Sequence, residues 1–298
     1  MNKLILLTLA LCAGAAAYSQ EDSSRQSTTD TVKAGNFIII KKKKTNPEGG
    51  ADRSTQVKFD VKKRYSNRNS NISTNWFIFD LGFANWRDKT DYNGPAFTGQ
   101  RSPDGYIRNI PYTGKSDNPV NKSSFNLRNA KSSNVNIWLF MQKWHMIKKV
   151  VNLKYGLGLE MYNYRFDSDI SFRNTPQPYA FMDSVSFTKN KLYAGYITVP
   201  LLLNFTPSGS SRRGITFSAG VSAGYLVGSR NKQISANRGK QKTKGNLEME
   251  PWRLAAIGEI GLGPVRLYGS YSLNSLQKKA ETGLEQYPYA VGVRFSTF

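Results

Sequence analysis

The sequence is poor in the residues that most enzymes and disulfide-rich proteins need. Its 298 residues include one cysteine and one histidine. A lone histidine, His145, rules out a His-Glu-x-x-His metal motif. The cysteine, Cys12, lies in an apolar N-terminal run, so the chain beyond residue 19 has no disulfide and no thiol chemistry. Acids are scarce: 20 Asp and Glu face 42 Lys and Arg, for a formal net charge of +22. No stretch after residue 19 reaches the roughly 20 uninterrupted apolar residues of a spanning helix, and mean hydropathy is -0.50. These deficits exclude a bundle of membrane helices. Gly156-Leu157-Gly158 and Gly261-Leu262-Gly263 precede no helical pattern, so neither is a nucleotide fingerprint. No P-loop occurs, no cofactor is expected, and no residue is assigned a catalytic role.

The N-terminus reads as an export signal. Lys3 precedes an apolar run over residues 4–17, which ends in small residues before Gln20. Residues 1–19 therefore form a signal peptide, cleaved after Ser19. Residues 20–73 hold 12 basic and 6 acidic residues, with Lys41 to Lys44 and Lys62-Lys63-Arg64 as runs. The expectation is a basic, largely unstructured periplasmic segment. Within it, residues 37–40 are apolar and residues 56–61 alternate. A short hairpin and two extra strands of a ten-stranded barrel both remain open.

From residue 74 to 298 the apolar residues recur with period two, which puts them on one face of a strand. Over 150–164, Leu153, Tyr155, Leu157 and Leu159 alternate with Asn152, Lys154, Gly156 and Glu160. Over 132–144, Val135, Ile137, Leu139 and Met141 stand against Asn134, Asn136, Trp138, Phe140 and Gln142. The pattern repeats over 75–86, 189–206, 213–229, 250–262, 264–275 and about 289–295. Soluble strands have a mode of about 5 to 6 residues, whereas a tilted strand crossing a bilayer needs about 9 to 11. Long connections alternate with short ones, the latter including Gly263-Pro264. The fold class is thus all-β: an eight-stranded antiparallel up-and-down transmembrane β-barrel with a basic N-terminal tail, in the outer membrane. Both termini are then periplasmic. Pro200 predicts a bulge in the fourth strand. Trp86, Tyr164, Tyr193, Trp252, Tyr271 and Tyr289 predict an outer interfacial girdle. A soluble secreted ligand-binding β-barrel competes; strand length, alternating loops and glycines on the opposite face favour the membrane.

An eight-stranded barrel is just filled by side chains. Its inward parity collects Asp80, Glu160 and Glu259 with Lys154, Arg253, Arg266 and Arg294. These predict an ion-pair network that plugs the lumen and fixes strand register. The third outer loop carries Arg230, Lys232, Arg238, Lys240, Lys242 and Lys244, with no acid among them. That loop is either a contact for lipopolysaccharide phosphates or other anionic polymers, or simply solvated. His145 falls in the first short turn, at the end of the barrel away from the outside. Nucleic-acid binding fits the charge but not the export signal.

Tyr196-Ile197-Thr198-Val199-Pro200-Leu201-Leu202-Leu203 resembles a strand of PorT-like outer-membrane barrel proteins of Bacteroidota. Ser218-Ala219-Gly220 and Gly224-Tyr225-Leu226 resemble the strand after it, which leads into a basic loop beginning Ser229-Arg230-Asn231-Lys232. The resemblance covers about 74–298, with Thr198 where that family has an acid. It implies a non-enzymatic accessory of type IX secretion or gliding. The charge of the basic tail makes it either a contact for the secretion machinery, another periplasmic partner or peptidoglycan, or a plain disordered linker. Outer-membrane lipids are the expected surroundings. A barrel enzyme acting on membrane lipids is the rival within the membrane class.

Overall fold

Alternation of apolar with small or polar residues drives eight long strands, described in a computed structural model. The described residues are 29–34, 37–42, 57–61, 71–99, 104–110, 118–208, 214–245 and 247–296. The strands are β1 (Ile72–Asp88), β2 (Ser133–Ile147), β3 (Val151–Arg165) and β4 (Lys189–Phe205). They continue as β5 (Ile215–Ser235), β6 (Trp252–Leu262), β7 (Val265–Ser272) and β8 (Gln286–Phe295). Each pairs antiparallel with its sequence neighbour, and β8 pairs with β1, so the sheet closes. Closure satisfies every edge, which a sheet in lipid requires. Among the described residues, no helix is long and apolar enough to cross a membrane.

Burial is inverted relative to a soluble protein. Phe83 and Leu81 point outward, 65% and 56% exposed, while Asp80 between the same strands is 0% exposed. Outward apolar residues continue around the wall through Leu201, Val221, Leu254, Leu267 and Val291. Small inward residues let the opposite walls fill the space. A Cβ on Gly158 would lie 2.6 Å from the Trp138 ring, so glycine there makes room for the indole. At the short-turn end, Gly263 takes φ 60° before Pro264, a left-handed geometry that glycine adopts without strain.

Three sequence expectations need correction. Leu139 is bulged out of the β2–β3 ladder: Trp138 faces Gly158 and Phe140 faces Leu157. A one-residue bulge reverses side-chain parity beyond it. Met141 is therefore buried inside, and Phe140 and Gln142 turn outward. Pro200 causes no bulge. Its pairing with β3 lapses, whereas its pairing with Ser222 of β5 persists. The β4 irregularity falls instead between Gly195 and Tyr196. Trp86 and Tyr164 are not girdle residues; both are buried, with ring centroids 4.9 Å apart. Trp252 and Tyr225 do lie outward, in edge-to-face contact.

The long connections fold over one end of the barrel. Strands Ile107–Arg108, Ile170–Arg173 and Tyr179–Met182 form a small sheet there. Under it lies an apolar core of Phe97, Ile107, Phe125, Phe166, Phe172 and Leu247, continuous with Trp86, Tyr162 and Tyr196 in the barrel mouth. Gln277 donates to the Tyr106 hydroxyl at 2.6 Å and to the Leu247 carbonyl at 3.0 Å, which ties three loops together. Burial pushes the Tyr106 phenol well above its usual pKa, against the opposing bond from Gln277.

Residues 1–68 form a separate unit from 69–298. Strands Thr29–Ala34, Phe37–Lys42 and Val57–Val61 make a three-stranded antiparallel sheet of their own. These described strands belong to a sheet distinct from the barrel sheet. The segment expected to be a signal peptide, residues 1–19, lies outside the described residues.

Candidate functional site

All seven residues of the predicted lumen set are buried inside the barrel. Inward parity on β1, β3, β6, β7 and β8 positions them. Arg294 grips Asp80 with two parallel bonds, Nε to Oδ1 and Nη2 to Oδ2, both 2.7 Å. The same guanidinium bonds Glu259. Lys154 reaches Glu259 at 2.5 Å from β3. Asp80 also accepts from Trp138 Nε1 at 2.7 Å and Asn136 Nδ2 at 3.0 Å. Higher in the lumen, Arg253 pairs with Glu160 at 2.8 Å and stacks over Tyr162. Arg266 donates to Thr216 Oγ1 at 2.7 Å across Gly261, whose absent side chain clears the path. A Cβ at Gly261 would lie 2.4 Å from the guanidinium.

The lumen holds one further cation. Lys143 is buried on β2, opposite Ser73 of β1 and Lys154 of β3. Simple alternation assigns it to the outside, because the bulge at Leu139 is invisible to a period-two reading. Alternation likewise does not mark Trp138 and Asn136 as partners of Asp80.

At the short-turn end, His145 joins Ser73 and Asn152. Ser73 Oγ lies 3.1 Å from Nε2, and Asn152 Oδ1 lies 2.6 Å from Nδ1. The Asn152 Nδ2 faces only oxygen acceptors, among them Asn204 Oδ1 at 3.1 Å and the Lys149 carbonyl at 3.3 Å. Its Oδ1 is therefore the atom turned to the ring, and Nδ1 carries the proton. Nε2 is then the acceptor for the Ser73 hydroxyl. His145 is thus an inward-facing residue of this hydrogen-bonded chain and not only part of a turn.

The predicted basic loop is a β-hairpin rather than an irregular loop. β5 runs on to Ser235 and pairs with strand Gly239–Lys244. Arg230 faces Lys244 and Lys232 faces Lys242, so these share one face with Lys240. Arg238 leaves the group. It bonds the buried Asp183 carboxylate at 3.0 Å, which Arg173 also approaches at 3.7 Å. Among the described residues, no group of three or more His, Cys, Asp or Glu side chains is placed to hold a metal ion.

A closed barrel with an apolar outside and a charged inside is the signature of a lipid-embedded wall. Residues 100–278 match the model of the outer membrane protein beta-barrel domain. The chain belongs to this outer membrane protein beta-barrel domain family. The match runs from the first long loop through β7, and β1 and β8 complete the ring. Membership places the protein in the outer membrane. No curated protein matches the sequence. As an outer membrane beta-barrel, it presents three distinct surfaces: a filled lumen, an apolar belt and a basic hairpin.

Proposed function

We propose that the protein is a sealed, non-enzymatic outer-membrane barrel that serves the cell envelope as a secretion accessory, of the PorT-like type IX or gliding kind. The observation that carries this reading is the filled lumen. Ion pairs occupy its middle and an apolar core closes its long-loop end. A wall without a pore acts through its surfaces, as an anchor for partners on either side. The basic segment before β1 is the natural periplasmic contact, and a cleaved leader at residues 1–19 delivers the chain. Deleting the gene should trap cargo of the type IX pathway in the periplasm and impair gliding. Normal export and motility in the deletion strain would leave an envelope barrel without that role.

A second reading, an acyl-ester hydrolase, is favoured by the Ser73–His145–Asn152 chain. In it, Ser73 Oγ attacks an ester carbonyl while Nε2 of His145 takes the hydroxyl proton. The proton passes to the departing alkoxide, and water then releases the acyl group. The hydrolysis of a short-chain nitrophenyl ester by folded protein separates the readings. Loss of turnover in Ser73→Ala would establish the hydrolase. Equal rates in the variant and the parent would dismiss it.

A further inference from the structure

Beyond the apolar belt, β3, β4, β5 and the hairpin strand Gly239–Lys244 continue as one four-stranded wall. Its outward face is read directly from the register. One row across the strands is Asn163, Tyr193, Arg230 and Lys244. The next row outward is Arg165, Lys191, Lys232 and Lys242, four cations side by side. Neighbouring strands lie about 4.8 Å apart, so that row is roughly 14 Å long. Lys189 and Lys240 flank Ile234 in a third row. No Asp or Glu stands in any of these registers.

Directly opposed like charges destabilise a sheet. A strand pair that places Lys191 against Lys232 and Lys232 against Lys242 works against its own folding unless an anion sits over it. The cations are also placed at a particular height. Ile197 and Tyr225, paired and outward, are still part of the exposed apolar belt. Four residues further along β4, about 13 Å of strand, the Tyr193 ring stacks under the Arg230 guanidinium at 4.5 Å. An aromatic residue followed by cations matches the passage from acyl chains to charged headgroups. Lys191 is held upright by a 2.7 Å bond to Asn163 Oδ1.

We infer that this wall is a binding site for the phosphorylated glycolipid headgroups of the outer leaflet, with the Arg165–Lys191–Lys232–Lys242 row as its centre. The inference rests on the outer-membrane reading with the long loops outside. It adds three cations that the loop sequence alone did not indicate: Arg165, Lys189 and Lys191. The site binds lipid from the side, along the wall, and uses neither the lumen nor Ser73 and His145.

The test uses the full chain, folded in zwitterionic detergent, with three probes: bis-phosphorylated lipid A, dephosphorylated lipid A and inorganic phosphate. The substitutions K191Q, K232Q and K242Q are combined. Three surface cations removed should weaken lipid A binding roughly 100-fold, with the heat-modifiable gel shift of the folded barrel retained. Parent protein should bind dephosphorylated lipid A as weakly as the variant binds lipid A. Equal lipid A affinity in variant and parent would overturn the site, as would indifference to the lipid's phosphates. Displacement of lipid A by an equal concentration of inorganic phosphate would refute the lipid as its source. A gel shift without selective lipid A binding sinks this inference alone. A chain that shows no heat-modifiable shift and stays soluble without detergent sinks the membrane reading with it.

Discussion

Asp80 accepts four hydrogen bonds in a space without bulk solvent: two from Arg294, one from Trp138 and one from Asn136. Removing one member of such a pair leaves a buried charge uncompensated, at a cost of about 3–5 kcal/mol. Asp80→Ala should therefore lower the urea midpoint of the folded barrel markedly. Adding Arg294→Met to the same chain should recover part of that loss, because the excess buried positive charge is gone while Glu259, which loses its bond to Arg294, keeps Lys154. A double variant as unstable as the sum of the two singles would show that the pair is not coupled. The charged positions were legible in the sequence because each lies on the polar side of an alternating strand. Their partners were not. Nothing in a period-two pattern says that Lys154 of β3 meets Glu259 of β6, since that contact crosses the lumen. Lys143 escaped for a different reason: Leu139 shifts the count by one residue, and every position after it on β2 changes sides.

At the level of elements, the long strands were the clearest signal and the loops the weakest. Strand ends read from alternation agree within a few residues for most of the barrel. β5 is the exception, because its outer half swaps apolar outward residues for Arg230 and Lys232 while the ladder continues. A hydropathy pattern ends where the lipid ends, and a strand does not have to. The first long loop has no alternation at all, yet Phe97, Tyr106 and Phe125 pack into one core with Phe172 and Leu247. Such packing depends on residues far apart in sequence, as in the bond from Gln277 to Tyr106. Trp86 and Tyr164 belong to this core as well, which is why their position near strand ends misled the reading of a girdle. An aromatic residue at a strand end marks an interface only when its parity points outward.

For the molecule as a whole, the obstruction of the lumen is double. The ion pairs among Asp80, Glu259, Lys154 and Arg294 fill the middle. The loop core is a second barrier, built from apolar contacts and independent of those charges. Two barriers in series give a defined pattern of currents in a planar bilayer. The parent barrel should show no steady conductance. Combined Asp80→Ala, Glu259→Ala and Arg294→Ala substitutions should show none either, because the loop core still closes one end. Shortening the first long loop alone should leave the charged middle closed. Only the chain carrying both changes should conduct, with ion selectivity set by the cations that remain, Lys143, Lys154, Arg253 and Arg266. Steady current through the parent barrel would refute the sealed wall. Current through either single alteration would show that one barrier does all the closing.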